Sequence, residues 1–215
     1  MRKIGIFGGS FDPVHFGHLR PALEILEALA LDEVRFVPAS QSPLRAAPVA
    51  PPDLRLRMLK AALHDEPRFV LDERELKRPG QSYTVDTLVE LRHEFPQACL
   101  ALLVGMDAFL GFPEWHEWQR IFEYAHVVVA HRPGWSPPAA GALAEWLRGR
   151  CADSAAALLA APAGRVWLQP VTQLEISSTH IRALVAAGRD PRYLVPEPVR
   201  ELIRDSHCYA QTMER

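Results

Sequence analysis

Short apolar runs recur along the chain, separated by segments in which apolar residues return every three or four positions. Runs this short with few polar residues are typical of parallel strands that are buried on both faces. The pattern predicts six strands, at Lys3–Phe7, Glu33–Pro38, Arg68–Leu71, Leu100–Val104, Val127–Ala130 and Val166–Leu168. The first, fourth and fifth runs are almost wholly apolar, so we expect them at the centre of a sheet.

The segments between the predicted strands carry apolar stripes with helical spacing. The stripes are Leu19, Leu23, Leu26 and Ala30, then Leu56, Leu59 and Leu63, then Val85, Leu88, Leu91 and Phe95. Alternating strands and helices favour a parallel sheet, because a helix must cross back over the sheet before the next parallel strand can begin. We therefore predict an α/β fold: a Rossmann-like doubly wound parallel sheet with helices on both faces and a small C-terminal helical part.

The chain length and the turn-rich segments indicate how this fold is divided. A chain of 215 residues fits one domain, and we predict a single domain over residues 1–215. Residues 135–164 are rich in Pro, Ala and Gly and predict a variable insertion before the last strand, with a short helix at Leu143–Leu147. Residues 176–206 predict the C-terminal helical part, whose first helix is capped by Ser177 or Ser178.

The composition is that of an ordinary globular protein and limits the classes of partner. Hydrophobic residues make up 48% of the chain, and the formal net charge of −2 offers no general attraction to nucleic acids or anionic membranes. No apolar run approaches the roughly 20 residues of a membrane helix, and no apolar signal segment precedes the first strand. Cys99, Cys151 and Cys208 form no C-x-x-C pair, which is typical of a reduced protein without a zinc site or a disulfide framework. We expect a cytoplasmic protein with no nucleic-acid or membrane partner, and a homo-oligomer is left open.

The most distinctive segment is Gly8–Leu19, G-G-S-F-D-P-V-H-F-G-H-L, which joins the first predicted strand to the first predicted helix. Such junctions bind phosphates in many α/β proteins, because N–H groups at a helix start are unpaired and the helix dipole favours an anion. Gly8 and Gly9 would let a phosphate or a base approach the backbone closely. His15 and His18 are three residues apart, so both could reach one phosphate group. The segment is neither a Walker A loop nor a G-x-G-x-x-G dinucleotide fingerprint.

The string G-S-F-D-P-V-H-F-G-H resembles the first signature of the H-x-G-H nucleotidyltransferases, which transfer a nucleotidyl group from a nucleoside triphosphate. The later string I-S-S-T-H-I-R is similar to the I-S-S-T-x-I-R motif of the adenylyltransferase branch. The resemblance implies that the chain is one nucleotidyltransferase domain, with His15, His18 and Arg182 as catalytic residues that grip the triphosphate. It implies ATP binding by Gly8, Gly9, Ser10, Phe11, Ile176, Ser177 and Ser178. From the residues alone, the serines are helix caps, which is compatible with phosphate binding at the same helix start, and an exposed helical arginine such as Arg182 is usually just solvated.

The string Ser82–Leu88, S-Y-T-V-D-T-L, resembles the S-Y-T-x-x-T-L of bacterial nicotinate mononucleotide adenylyltransferases. In that family this helix start holds the nicotinate carboxylate through backbone N–H groups and the threonine hydroxyl, which here implies Tyr83 and Thr84. The simpler interpretation is a helix start that is capped by Ser82 or Thr84.

The same resemblance implies further acceptor-binding residues after the fourth strand. Gly105 and Asp107 would lie against the ribose hydroxyls or nearby groups of the pyridine nucleotide, and Trp115 would stack on the pyridine ring. From the residues alone, Asp107 could equally cap a helix, and Trp115 could be a core or lid residue.

Two arginines are further candidates for binding the acceptor. Arg132 follows the fifth predicted strand at the same sheet edge and could meet a phosphate. After the second strand the family often carries a histidine followed by a basic residue, whereas this chain reads Ser42-Pro43-Leu44-Arg45. Leu44 cannot donate a hydrogen bond, but Arg45 keeps the positive charge.

The resemblance implies that ATP and nicotinate mononucleotide give nicotinate adenine dinucleotide and pyrophosphate, a step of NAD biosynthesis. The attacking oxygen is already an ionised phosphate, so catalysis needs positioning and electrostatic stabilisation rather than a general base. Mg²⁺ is expected to arrive with ATP, since the sequence shows no carboxylate cluster that predicts a dedicated metal site. The alternatives are the same chemistry on nicotinamide mononucleotide or phosphopantetheine, or a non-catalytic nucleotide-binding module.

Overall fold

The computed structural model describes residues 1–41, 43–44, 46–131, 140–172 and 174–210. Within them, one sheet contains β1 (Lys3–Gly9), β2 (Glu33–Pro38), β3 (Phe69–Leu71), β4 (Cys99–Gly105), β5 (His126–His131) and β6 (Val166–Pro170). Each of the six predicted strands is present, with ends that differ from the prediction by two residues or fewer.

The strands are all parallel and follow the order β3-β2-β1-β4-β5-β6. In the centre, β1 pairs with β2 on one side, where Ile4 faces Glu33, and with β4 on the other, where Ile4 faces Leu100. The connections after β1 and β4 leave in opposite directions, which opens a crevice above the carboxyl ends of these two strands. This confirms the doubly wound parallel sheet and places its switch point beside the segment Gly8–Leu19.

The described residues contain ten α-helices, most of which cover one face of the sheet or the other. They are α1 (Phe16–Ala28), α2 (Pro52–Leu63), α3 (Arg74–Lys77), α4 (Thr84–Glu94), α5 (Met106–Leu110), α6 (Ile121–Tyr124), α7 (Ala142–Leu147), α8 (Ala155–Leu159), α9 (Ser178–Ala186) and α10 (Glu197–Ser206). None of the helices in this described part is long and apolar enough to pass through a membrane.

Two apolar clusters lie on opposite faces of the sheet, because successive side chains of a strand point to opposite sides. In β4, Ala101 and Leu103 belong to one cluster, and Leu100, Leu102 and Val104 belong to the other. Helices α1, α2, α8, α9 and α10 add residues to the first cluster, whereas α4, α5, α6 and α7 add residues to the second. Helices therefore cover both faces, as predicted.

The predicted apolar stripe of α1 is wrong in detail. The helix buries Ala22, Ile25 and Leu26, whereas Leu23 is only half-buried. Ala30 lies beyond the helix end, is exposed, and has a left-handed φ of 45° where the chain turns towards β2. Apolar residues occupy two neighbouring faces of this helix, and spacing alone cannot tell which of them meets the sheet.

The segments predicted as an insertion and as a C-terminal helical part both pack onto the sheet. Residues 140–164 are the described part of the predicted insertion. They contain α7 and α8 and lie between β5 and β6 along the chain. The predicted helix Leu143–Leu147 is present as α7, and α8 was not predicted. In the C-terminal part, Ser177 rather than Ser178 caps α9, and its Oγ accepts a hydrogen bond of 3.2 Å from the N–H of His180. The single-domain division and the variability of the insertion stay predictions.

Candidate active site

A buried arginine holds the loop that follows β1. Arg55 in α2 is 1% exposed, and its Nη1 donates to the carbonyl oxygens of Ser10 at 2.8 Å and Ala39 at 2.9 Å. Since the C=O and N–H of a peptide point in opposite directions, this anchor directs the N–H of Phe11 away from Arg55. Phe11 has a left-handed φ of 46°, and its ring lies so close to Gly9 that a Cβ there would be 3.1 Å from Cζ. The Arg55 contacts and the Phe11 ring therefore hold the predicted ATP-binding loop against the end of β2 and against Gly9.

The two histidines of the first motif form a stacked pair. His15 is the N-cap of α1, and the rings of His15 and His18 have centroids 3.7 Å apart with an interplanar angle of 30°. The backbone N–H of His15 donates to Nδ1 of His18 at 3.3 Å, so the proton of a neutral His18 ring lies on Nε2. Burial lowers the pKa of His15 from 6.5 to about 4, which leaves this ring neutral at pH 7. Its Nδ1 is buried against the first turn of α1, where the capping geometry turns it towards the backbone N–H of His18 and the backbone of Gly17 lies beside it.

Gly17 lets the first motif touch the second. A Cβ at Gly17 would lie 2.9 Å from Nδ1 of His15, closer than real Cβ atoms come, and 3.0 Å from the carbonyl oxygen of Ile176, tighter than nine in ten real Cβ contacts. Only glycine fits between the His15 ring and the backbone before α9. No role was predicted for Gly17 from the sequence, although it is the third letter of H-x-G-H.

Hydrogen bonds also join the second motif to the first. Oγ of Ser178 donates to the carbonyl oxygen of Pro13 at 2.9 Å. Arg182 donates from Nη1 to the carbonyl oxygen of Asp12 at 2.7 Å and from Nη2 to Oγ1 of Thr179 at 3.3 Å. The structure thus brings the start of α9 and Arg182 against the loop that leads into the histidine pair.

Asp12 is the centre of this arrangement, although no role for it was predicted from the sequence. Its Oδ1 accepts from the N–H of Ala50 at 3.0 Å and from the hydroxyl of Tyr209 at 2.7 Å, and its Oδ2 accepts from the N–H of Val49 at 2.8 Å. Arg182 lies near the same carboxylate, with Nη1 3.6 Å from Oδ2. Asp12 stands inside the first motif, where sequence could have suggested it, whereas no local signal points to Tyr209.

The expectation of unpaired N–H groups at the start of α1 is wrong for three residues. The N–H of Phe16 donates to the carbonyl oxygen of Leu194 at 3.1 Å. The N–H of His18 donates to the carbonyl oxygen of His15 at 2.8 Å, and the N–H of His15 itself donates to Nδ1 of His18 at 3.3 Å. These donors are used by the fold, so an anion at this edge must rely on the loop before the helix and on side chains.

The start of α4 lies at the same edge of the sheet. The N–H of Ala39 donates to the carbonyl oxygen of Gly9 at 2.9 Å, which ties the segment after β2 to the end of β1. One residue further along, the N–H of Ser40 donates to Oγ of Ser82 at 3.0 Å, and the N–H of Ser82 donates to the carbonyl oxygen of Gln41 at 2.9 Å. These contacts connect the predicted ATP-binding loop to the predicted carboxylate-binding helix.

Neither Ser82 nor Thr84 caps α4, contrary to the simpler interpretation of this string. The N-cap is Tyr83, and no side-chain cap hydrogen bond is formed there. The hydroxyl of Tyr83 donates to Oε1 of Gln81 at 2.7 Å, and its ring lies 4.4 Å from the ring of His116. A helix start without a side-chain cap is suited to an anion.

The remaining acceptor candidates frame the switch point. Gly105 ends β4 and is the N-cap of α5, so Asp107 is an exposed residue of the first turn and not the cap. Trp115 is half-buried, with its ring 4.6 Å from that of Phe112. A Cβ on Gly8 or Gly105 would have no atom within 4 Å, which leaves open space above the ends of β1 and β4.

Arg45 and Arg132 lie outside the described residues. Leu44, beside Arg45, is 51% exposed. Within the part of the chain that the structure describes, no three His, Cys, Asp or Glu side chains are grouped so that they could hold a metal ion.

Comparison with known proteins gives the family. Residues 6–184 match the model of the family described as Cytidylyltransferase-like. The chain is 49% identical over 206 residues to "Probable nicotinate-nucleotide adenylyltransferase" of Aeromonas hydrophila, with 96% of each chain covered. It is also 49% identical over 209 residues to a protein of the same name from Methylococcus capsulatus, with 97% of this chain and 100% of that one covered.

Solved structures share the fold at lower identity. The nicotinic acid mononucleotide adenylyltransferase of Plasmodium falciparum, solved in complexes with APC and with NaAD, has a TM-score of 0.72 at 16% identity, with 100% of both chains covered. The fold, the order of the two motifs and the full-length relatives agree, and the chain belongs to the nicotinate-nucleotide adenylyltransferase family of cytidylyltransferase-like proteins.

Proposed function

We propose that this protein transfers the adenylyl group of ATP to nicotinate mononucleotide, giving nicotinate adenine dinucleotide and pyrophosphate in NAD biosynthesis. The observation that carries the proposal is the junction of the two motifs, where Ser178 and Arg182 are hydrogen-bonded to the backbone of Pro13 and Asp12. The first motif, after β1, and the second motif, at the start of α9, thereby meet at one edge of the sheet and bring their hydrogen-bond donors together. Full-length relatives named for this activity support the assignment.

The triphosphate of ATP is bound by side chains of both motifs in this proposal. Arg182 supplies a permanent charge and a planar fork that matches phosphate oxygens. His18 offers the N–H of Nε2, and the neutral His15 offers a second ring nitrogen. Two protonated rings stacked at 3.7 Å would repel each other, so the histidines act mainly as hydrogen-bonding groups. The buried guanidinium of Arg55 adds positive charge beneath the loop.

The backbone completes the ATP site. In this proposal the N–H groups of the loop after β1 bind phosphate above the ends of β1 and β4, where the open space beside Gly8 and Gly105 lets the nucleotide approach closely. The residues proposed to bind ATP are Gly8, Gly9, Ser10, Phe11, Ile176, Ser177 and Ser178.

The reaction is an attack of a phosphate oxygen of nicotinate mononucleotide on the α-phosphorus of ATP. The new P–O bond forms as the bond from the α-phosphorus to the pyrophosphate oxygen breaks, and pyrophosphate leaves with the electron pair. No proton has to be removed from the attacking oxygen, so the protein must align two polyanions and stabilise the developing charge. Arg182, His15 and His18 do this at the leaving group.

Mg²⁺ enters with ATP in this proposal, because the polyphosphate supplies ligands of the kind that Mg²⁺ prefers. When bound, the ion neutralises charge on the leaving pyrophosphate. The nearby carboxylate of Asp12 is not a suitable ligand, since both of its oxygens accept hydrogen bonds from Val49, Ala50 and Tyr209.

The acceptor is bound at the start of α4 and after β4. Uncapped N–H groups of the first turn of α4, with the hydroxyl of Thr84 beside Tyr83, hold the nicotinate carboxylate. The NH₂ of nicotinamide mononucleotide would face the backbone N–H groups of α4, and because both are donors neither would be paired. Binding of nicotinate mononucleotide is therefore favoured over binding of the amide. The pyridine ring stacks on Trp115, which is braced by Phe112.

The rest of the acceptor is met by residues around the crevice. Gly105 and Asp107 bind the ribose or adjoining groups, and Arg45 and Arg132 add positive charge towards the acceptor phosphate. A cytoplasmic location and the absence of nucleic-acid and membrane partners stay predictions, and a homo-oligomer is left open.

Pyrophosphate release with ATP and Mg²⁺ tests the proposal, with nicotinate mononucleotide and nicotinamide mononucleotide supplied in separate reactions and a reaction without acceptor as control. Release with the acid and little with the amide is the expected result. Equal pyrophosphate release with the two mononucleotides would show that Tyr83 and Thr84 do not select the carboxylate, although adenylyl transfer itself would be supported. ATP binding without release, with either acceptor, would overturn the proposed activity and favour phosphopantetheine as acceptor or a non-catalytic module.

A further inference from the structure

We propose that Tyr209 is a positioning residue that keeps Arg182 available for the triphosphate by occupying the carboxylate of Asp12. The inference rests on the proposed function, in which Arg182 binds phosphate. Tyr209 follows the last helix, lies outside both motifs, and is 4% exposed. Its hydroxyl donates to Oδ1 of Asp12 at 2.7 Å.

Most of the acceptor capacity of Asp12 is already used within the fold. A carboxylate offers about four lone-pair positions. Oδ1 accepts from Tyr209 and from the N–H of Ala50, and Oδ2 accepts from the N–H of Val49. The carboxylate is therefore nearly saturated by donors other than Arg182.

Arg182 lies beside this carboxylate without being hydrogen-bonded to it. Its Nη1 is 3.6 Å from Oδ2 of Asp12, beyond hydrogen-bond distance, whereas Nη1 is only 2.7 Å from the carbonyl oxygen of the same residue. The guanidinium is attracted to the carboxylate but does not close into a bidentate pair with it. Its side chain remains 28% exposed, so it can still reach a ligand.

Removal of the Tyr209 hydroxyl would leave Asp12 short of a donor. The side chain of Asp12 is 5% exposed, and a buried carboxylate oxygen that loses a donor is strongly unfavourable unless another donor replaces it. The guanidinium of Arg182 lies 3.6 Å from Oδ2, and its fork matches a carboxylate. Arg55 also acts electrostatically on Asp12, but its Nη1 is already held by the carbonyl oxygens of Ser10 and Ala39. A shift of roughly 1 Å would bring Nη1 to a normal charge-assisted distance, and Arg182 would then be engaged by Asp12 instead of phosphate.

Tyr209 is suited to this role at neutral pH. Burial and the adjacent Asp12 carboxylate raise the pKa of Tyr209 above its ordinary value, so the phenol stays protonated and donates. The ring packs in the apolar cluster that also contains Ile181 of α9, which holds the hydroxyl in place.

A double-mutant cycle tests the inference: wild type, Tyr209→Phe, Arg182→Ala and the double variant are compared for kcat and for the KM of each substrate. Tyr209→Phe is expected to lower kcat/KM for ATP about tenfold, the scale of a hydrogen bond to a charged group, with the KM for nicotinate mononucleotide unchanged. In the Arg182→Ala background the same substitution should change kcat/KM for ATP by less than about twofold, because no guanidinium remains to be captured. Tyr193→Phe is the matched control, since Tyr193 is 83% exposed.

Three results would overturn the inference. An equal loss on substituting Tyr209 in both backgrounds would mean that Tyr209 only supports the fold, whatever its effect on the melting temperature. If kcat/KM for ATP is unchanged in Tyr209→Phe but falls in Arg182→Ala, Tyr209 has no positioning role although Arg182 still binds phosphate. If kcat/KM for ATP does not fall in Arg182→Ala either, the proposed phosphate contact of Arg182 is also wrong. If the wild type releases no pyrophosphate, the proposed function fails, and ATP affinity measured by calorimetry on the same four proteins decides the Tyr209 inference separately.

Discussion

His15 donates its backbone N–H to Nδ1 of His18 at 3.3 Å, and the rings of the two residues stack with centroids 3.7 Å apart. The hydrogen bond orients the His18 ring and assigns its proton to Nε2 when the ring is neutral. The stacking disfavours a second positive charge on the pair. In the proposed reaction, Nε2 of His18 is thus a preorganised donor, because the backbone N–H of His15, the N-cap of α1, fixes the orientation of the ring.

Substitutions of His18 test which ring nitrogen matters. His18→Ala is expected to lower kcat for pyrophosphate release by about 10²–10³, the usual loss of one preorganised donor. His18→Gln should retain more activity than His18→Asn, because the glutamine amide reaches the position of Nε2 and the asparagine amide lies near Nδ1. Steady-state kinetics of the three variants measure the effect. An unchanged kcat in His18→Ala, or greater activity in His18→Asn, would contradict the assignment.

The burial of His15 predicts a loss of stability in mild acid. Its pKa is 6.5 in the unfolded chain and about 4 in the folded protein, so between these values the unfolded state binds more protons and acidification favours unfolding. We expect His15 to account for about 2 kcal/mol of unfolding free energy lost between pH 7 and pH 5. Urea unfolding of the wild type and of His15→Gln measures this, and the variant should show the flatter profile.

Other titrating groups do not obscure that comparison. Burial also lowers the pKa of His126, but His126 is present in both proteins and cancels in the difference. The hydrogen-bonded carboxyls of Glu66 and Asp190 have pKa values of about 2 and titrate at lower pH. Profiles of equal slope in the two proteins would show that His15 is not buried in its neutral form.

Gly17→Ala is expected to damage both stability and activity. The added Cβ would meet the His15 ring at 2.9 Å and the carbonyl oxygen of Ile176 at 3.0 Å, and a backbone atom cannot rotate away. The expected cost is about 1–3 kcal/mol of unfolding free energy, typical of overpacking, together with a lower kcat. Gly111→Ala is the control, since its Cβ would meet nothing closer than 3.5 Å. Equal unfolding free energies for the two variants would refute the close approach of the motifs at Gly17.

Arg55→Leu is expected to disorder the ATP-binding loop. The substitution leaves the carbonyl oxygens of Ser10 and Ala39 without their donor and removes a positive charge beneath the loop. We expect a loss of about 2–4 kcal/mol of unfolding free energy and a rise of the KM for ATP that is larger than any rise for the acceptor. Arg57→Leu, on the same helix but exposed, serves as control. Denaturant unfolding and initial rates at varied ATP check both effects, and a KM for ATP equal to that of Arg57→Leu would argue against the anchor.

The apolar runs along the chain were sufficient to predict much of the sheet. The central strands are continuous apolar runs because both faces of the sheet are covered, so β1, β4 and β5 could be predicted to within two residues at each end. The two motifs were also visible, since phosphate-binding segments of this class are contiguous strings at strand–helix junctions. Their order along the chain indicated the family before any contact was known.

The sequence by itself determined the strands, the alternation of strands and helices, and the two motifs, because each depends on residues that are neighbours in the chain. Only the tertiary structure decided which face of α1 is buried, that Leu194 takes the N–H of Phe16, and that Tyr83 begins α4 without a side-chain cap. It alone brought Tyr209 to Asp12, a contact across 197 residues of chain. Such contacts depend on how separate helices and loops settle at one edge of the sheet, and no local periodicity encodes that.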